Sequence, residues 1–326
     1  MKKRIMLVLC VVLLATLIAG AVLMANRRES IENAGASPNA AAKPKFLTYQ
    51  GKDYPIKQHL TTVLLIGTDS TEGYEEQTEG LLNFVNDSQA DFLMLAVLDT
   101  DSGTAEILQV NRDTMTDVPW LDVLGNYGGT EFKQLCLAFN YGDGGPKSCR
   151  NTVSAVSSLL FDAPIDYYMQ VPMTAIPVLN DVVGGVPITF QEDMTDIDPA
   201  FVKGATVRLD GSQAEKFVRS RMGLSDDTNT YRMERQLQYL DSFQNCAREA
   251  IDTDSQFVLT LLEKLSDYLQ TNLTGDQLVN FITQLDESEI SPIRPPQGTL
   301  TLEDGHYAFY VDLDPTWEDV KRAYCG

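Results

Sequence analysis

Histidine occurs only twice in the 326 residues, as His59 and His306, and none of the five cysteines forms a CxxC pair. A Cys/His zinc site is thereby left almost without donors. Basic residues are scarce as well: 25 Lys and Arg stand against 46 Asp and Glu, a formal net charge of −21. That balance opposes non-specific binding to nucleic acid or to an anionic membrane surface, so an anionic ligand has to be gripped locally. Internal repeats and long low-complexity tracts are missing, and 44% apolar against 22% charged residues is the composition of a folded globular chain.

The one long hydrophobic run is uncharged and extends from Ile5 to Ala25. At about 1.5 Å per residue a helix of that length reaches roughly 30 Å, the thickness of a bilayer core. Lys2, Lys3 and Arg4 precede it, and Arg27, Arg28 and Glu29 follow, a small bias toward an N-terminus held inside the cell. A cleaved signal peptide competes, with small residues at 23–25 and 34–36, but the run exceeds the usual apolar length of about 7–15 residues. No cysteine closely follows it, which argues against a lipoprotein site. The reading is a cytoplasmic end and transmembrane anchor over 1–26, an extracellular spacer over 27–45 that is polar and rich in small residues, and a folded domain over 46–326 outside a cell membrane crossed once. Cys136, Cys149, Cys246 and Cys325 then occupy a compartment that tolerates disulfides. The Gly-rich stretch between Cys136 and Cys149 predicts a bridge joining those two.

Apolar, β-branched runs closed by turn residues predict strands at 61–67, 92–98, 105–110, 167–171 and 186–190. Helical patterns run over 147–161, 212–221, 230–251, 256–270 and 275–284, with another between the last two strands. A final strand in "HYAFYVDL" and a helix in "PTWEDVKRAY" close the chain. Strands and helices interleave irregularly, so the predicted fold is α/β, a mixed central sheet flanked by helices on both faces.

If the first three strands form a meander, Asp69 after the first, Asp91 before the second and Arg112 after the third share one sheet edge. A structural ion pair would account for them. So would a hard-cation site, since Mg²⁺ is usually held by one or two carboxylates together with phosphate oxygens and water. Further on, "VRSRMGLSDDTNTYRMERQ" crowds Arg219, Arg221, Arg232 and Arg235 together. A helix from about Thr230 places Met233, Leu237, Leu240 and Gln244 on one stripe, predicted to pack. Arg232, Arg235, Gln236 and Tyr239 fall on a neighbouring stripe, predicted to present guanidiniums. Asp226 and Asp227 could neutralise these arginines structurally, but guanidinium forks are also the side chains best suited to gripping phosphate.

The segments "VLLIGTDS", "ADFLMLAVLD", "ILQVNRDTMTDVP", "LAFNYGDGG", "NTVSAVSSLL", "PIDYYMQVPMTAIPVLNDVVGGVPIT", "LDGSQAEKFVRSR" and "YRMERQLQYL" occur in one order over residues 60–245. In that order the sequence resembles the LytR-CpsA-Psr phosphotransferases of bacterial cell envelopes. The resemblance implies an anchored α/β catalytic domain that transfers a glycopolymer, of teichoic acid or capsule type, from a polyprenyl-pyrophosphate carrier to peptidoglycan. It implies Mg²⁺, or another divalent cation, on Asp69 and Asp91. It also implies pyrophosphate binding and catalysis by Arg112, Arg219, Arg221 and Arg235, with Arg232 and Gln236 in the same substrate-binding motif. Asp69 or Asp227 is the candidate for accepting the hydroxyl proton. Asn229 stands where many members carry an acidic residue, for which Asp226 or Asp227 could substitute, and the loop from Ser70 to Ala90 is longer than in many relatives. Two other readings use the same residues: a pyrophosphatase acting on the lipid carrier, and a non-catalytic protein that binds the carrier or wall glycan.

Overall fold

The computed structural model describes residues 44–69, 86–122, 124–220, 229–254, 257–303 and 305–326. The expected anchor and nearly all of the spacer lie outside them, and among the described residues no helix is long and apolar enough to cross a membrane. Along the chain, a hairpin of β1 (Phe46–Tyr49) and β2 (Lys52–Pro55) leads into β3 (Leu60–Thr68), β4 (Ala90–Asp99) and β5 (Thr104–Val110). A second hairpin follows, β6 (Met115–Leu121) and β7 (Tyr127–Gln134), then α1 (Leu137–Asn140), α2 (Pro146–Leu159), β8 (Tyr167–Pro172) and α3 (Ala175–Val182). Next come β9 (Val186–Thr189), β10 (Thr206–Leu209), α4 (Gly211–Arg219), α5 (Asn229–Thr253), α6 (Phe257–Leu265), β11 (Gln270–Thr271) and α7 (Gly275–Glu287). The chain closes with β12 (Glu289–Ile290), β13 (Gly298–Glu303), β14 (His306–Val311) and α8 (Leu313–Tyr324).

The six-stranded sheet has the order β11-β8-β3-β4-β5-β12. β3, β4 and β5 form the expected antiparallel meander, while β12 runs parallel to β5, so the sheet is mixed. The central strands read as nearly unbroken apolar runs because both of their faces are buried, which removes the polar alternation of a half-exposed strand. On one face, Leu64, Ile66, Leu93, Leu95, Val97, Leu108 and Val110 join a core with Ala155 and Val156 of α2 and with Trp317, Val320 and Tyr324 of α8. Trp317 stacks on Tyr49 at 4.8 Å and meets Phe161 edge-on at 5.3 Å, which ties α8 to β1 and to the loop after α2.

The contacts divide the chain into two compact units. One holds the sheet, with the described part of Ile31–Val171, Gln270–Leu273 and Glu287–Gly326. The other includes Pro172–Leu269 and Thr274–Asp286. It is built from the β9–β10 hairpin and helices α3 to α7. Phe190, Phe201 and Phe217 pack ring to ring inside it. Asn180 pins α3 to the hairpin: its Nδ2 donates to the Leu209 carbonyl and its Oδ1 accepts from the Val186 amide. Asp210 caps α4, accepting from the Gln213 amide while the Gln213 side chain answers to the Asp210 amide.

The expected Cys136–Cys149 bridge is not formed, and both residues are buried thiols. The Gly-rich stretch between them folds as α1 and the turn into α2 instead of closing the cysteines on each other. Cys149 sits among the α2 residues of the core, where burial pushes its thiol well above the ordinary range.

Candidate functional site

At one end of the sheet β3 and β5 finish and β4 begins. Asp69 follows β3 directly, Asp91 is the second residue of β4, and Arg112 comes two residues after β5. The meander register places these positions side by side, as the sequence suggested. Gly67 opposes Phe92 and Thr68 opposes Ala90, which leaves Asp91 as the extra residue of a bulge. A bulge bends its strand and re-aims a side chain. Here the Asp91 carboxylate takes a hydrogen bond from Arg112 Nη1, and the two residues are only 5% and 7% exposed. Glycine is needed beside the bulge, because a Cβ on residue 67 would stand 2.8 Å from the Phe92 Cβ.

Three further side chains surround the guanidinium. Nη2 donates to Gln89 Oε1 at 2.5 Å and to the Cys136 sulfur at 3.1 Å. Nε lies 3.3 Å from Asp113 Oδ1, an ion-pair distance without hydrogen-bond alignment. Gln89 also holds Asp69: its amide N–H donates to Asp69 Oδ1 at 2.6 Å, and its carbonyl accepts from the Asp69 N–H at 3.2 Å. Two buried aspartates, Asp91 and Asp113, thus lie against one guanidinium. The sequence pattern gave no indication of Gln89, which is neutral and lies in no recognisable motif. Asp113 was visible as the neighbour of Arg112 in "NRDT".

The remaining candidates belong to the other unit. Arg219 ends α4 with a 41% exposed side chain and an (i, i+4) ion pair to Glu215 at 3.2 Å. Arg232 is fully buried, and Arg235 and Gln236 are each 6% exposed. Arg235 Nη1 donates to Glu192 Oε1 at 2.9 Å, and its Nη2 donates to the carbonyl of Ser220, the residue that caps α4. Burial pushes the Arg235 guanidinium below its ordinary range, against the pull of Glu192. The predicted packing stripe of α5 is buried at Met233 and Gln244, but the stripe expected to present guanidiniums is buried as well. Arg232, Arg235, Gln236, Tyr239 and Phe243 form its most buried line, while Leu237 and Leu240 are only half-buried. The physical reason is that Glu192 and the Ser220 carbonyl supply the acceptors that a buried guanidinium requires. Arg221, Asp226 and Asp227 lie outside the described residues, as does most of the loop beginning at Ser70.

Among the described residues no group of three or more His, Cys, Asp or Glu is gathered that could hold a metal ion unaided. Asp69 and Asp91 offer oxygen donors only, at one sheet end. That donor set fits a hard cation that completes its shell with phosphate oxygens and water, and does not fit a closed protein cage.

A sequence model of the LytR_cpsA_psr family matches residues 26–319. A protein of Bacillus cereus (strain AH820), the polyisoprenyl-teichoic acid–peptidoglycan teichoic acid transferase TagU, is 26% identical over 317 residues, covering 95% of this chain and 93% of its own. Protein gbs0355 from Streptococcus agalactiae superposes with a TM-score of 0.62 at 20% identity, over 81% of this chain and 87% of that one. TagT bound to LIIa-WTA superposes with a TM-score of 0.58 at 20% identity, over 81% and 89%. At these identities the two structures speak for a shared fold.

Proposed function

The chain belongs to the LytR-CpsA-Psr family, and from that premise we propose that it is a membrane-anchored phosphotransferase. Its donor would be a glycopolymer of teichoic acid or capsule type on a polyprenyl-pyrophosphate carrier, and its acceptor a peptidoglycan sugar hydroxyl. The observation that carries the proposal is the buried Arg112 guanidinium, fixed among Gln89, Asp91 and Asp113 at the sheet end where Asp69 also lies. A fixed, desolvated cation of this kind suits a reaction whose barrier is mainly the charge on phosphate oxygens. The relative named as a teichoic acid transferase agrees in coverage across nearly the whole chain.

In the proposed reaction the sugar hydroxyl attacks the phosphorus nearer the glycan, and polyprenyl phosphate leaves. Arg112, Arg219, Arg221 and Arg235 hold the pyrophosphate and offset charge on its non-bridging and leaving oxygens, with Arg232 and Gln236 supporting from α5. Asp69 or Asp227 accepts the hydroxyl proton. Asp69 and Asp91 would hold Mg²⁺, which when bound neutralises phosphate charge. The apolar run from Ile5 to Ala25 anchors the protein by a single pass, with the catalytic units outside the cell.

Incubating the detergent-solubilised full-length chain with Mg²⁺, peptidoglycan and a glycan-labelled lipid pyrophosphate tests the proposal. Label should enter the wall fraction in step with release of polyprenyl phosphate. Release without wall label would identify a pyrophosphatase, and retention of intact carrier without turnover would identify a binding protein.

A further inference from the structure

Gln89 stands where the central strand of the meander begins, between the ends of its two neighbours. Through its backbone it holds the Asp69 carboxylate beyond β3, by the 2.6 Å and 3.2 Å bonds. Through its side chain it holds Arg112 beyond β5, by the 2.5 Å bond from Nη2. One residue therefore joins the carboxylate and the guanidinium that the proposed reaction uses. Neither the family assignment nor the relatives' names gives it a role.

The type of acceptor matters as much as its place. Arg112 already faces two buried carboxylates, Asp91 on Nη1 and Asp113 near Nε. A third carboxylate on Nη2 would hold the guanidinium as firmly but leave an incoming phosphate facing a more negative pocket. An amide oxygen orients the same N–H without adding charge, and so preserves the cation's attraction for an anion. The Cys136 sulfur, the other acceptor on Nη2, is a weak one and shares this property.

We infer that Gln89 is the positioning residue of the phosphate site: its neutral amide fixes Arg112 while its backbone fixes Asp69, so that both meet a pyrophosphate group in a set arrangement. The inference rests on the phosphate-binding part of the proposed function and not on transfer itself. A merely structural glutamine would fill the same space, but its replacement by Met, which keeps the volume and adds no charge, would then leave anion affinity unchanged.

Calorimetric titration of inorganic pyrophosphate, with Mg²⁺, into the full-length chain in detergent separates these cases. Gln89→Glu keeps the size and the acceptor but adds charge, and Gln89→Met keeps the size without the acceptor. Pyrophosphate affinity is expected to fall about tenfold or more in Gln89→Glu and several-fold in Gln89→Met, given the strength of hydrogen bonds to charged groups. Melting temperatures should stay near that of the wild type. In the transfer assay the Gln89→Glu loss should appear chiefly in KM. Wild-type affinity in a folded Gln89→Glu or Gln89→Met variant, or an absence of pyrophosphate binding by the wild type, overturns the inference. Pyrophosphate binding that weakens as expected, in a wild type that transfers no polymer, would sink the transferase reading and leave Gln89 its role.

Discussion

Arg219 and Arg235 differ in what an alanine would leave behind. Arg219 is 41% exposed at the end of α4 with a single (i, i+4) partner, and such a pair contributes only about 0.3–0.5 kcal/mol. Arg219→Ala should therefore melt as the wild type does. A hydrogen bond to a charged group is worth roughly 1.5–3 kcal/mol, so confining that loss to the transition state should slow transfer about 10- to 150-fold. Arg235→Ala would strip Glu192 and the Ser220 carbonyl of their donor, and should lower stability by about 1–3 kcal/mol in addition to slowing transfer. Arg112→Ala takes the guanidinium away from the buried Asp91 and Asp113 carboxylates, and a broken buried pair costs about 3–5 kcal/mol. Urea melts and transfer rates on these three proteins check the order. Equal melting of all three would mean that the buried contacts of Arg112 and Arg235 carry no stability. The arginine cluster itself was evident in the sequence, but which guanidiniums face inward depends on acceptors such as Glu192, 43 residues from Arg235, and no local pattern reveals them.

The bulge at the start of β4 is an element-level device, and Gly67 is its weak point. A methyl on residue 67 would press on the Phe92 Cβ at 2.8 Å, so Gly67→Ala should cost about 1–3 kcal/mol by overpacking. Because the same displacement moves Asp91, the folded variant should also transfer more slowly. Unchanged stability in a urea melt would show that the strand pair can yield. The opposite end of the hairpin makes a pH prediction. Burial works to raise the pKa of Asp99, but hydrogen bonds from Ser102 and Asp101, with Lys57 at 3.6 Å, outweigh it and leave the carboxyl below its ordinary 3.8. A depressed folded pKa contributes stability above the unfolded value and loses it as pH falls through the folded one. The stability gap between wild type and Asp99→Asn should be full at about pH 6 and should close below about pH 4. A gap that stays constant into stronger acid would contradict that ionic role. The strands β3 and β4 were legible because burial on both faces makes them nearly unbroken apolar runs, and β5 by its Ile107, Leu108 and Val110. The β6–β7 hairpin was not, since Pro119, Gly128 and Gly129 interrupt any alternation and β7 is largely exposed. Only the paired strand, which supplies the Trp120 ring against Gly128, makes sense of those residues.

For the whole molecule, a net charge of −21 and a reaction on an anionic lipid carrier would be reconciled by local placement of cations together with the proposed tether. The tether is testable separately from the chemistry. Cys136, Cys149, Cys246 and Cys325 are all buried, so a Ser37→Cys reporter should be read against little background from the folded units. An impermeant thiol reagent should label that reporter on intact cells, and protection until lysis would reverse the topology. Whether the arginines act on a pyrophosphate in transfer or form a structural network is decided by one rate, the passage of labelled glycan from the lipid pyrophosphate to peptidoglycan by Arg219→Ala relative to wild type, each scaled to folded protein. Arg219→Ala should lose about 10- to 150-fold at unchanged melting temperature, and an undiminished rate would leave the arginines a structural network.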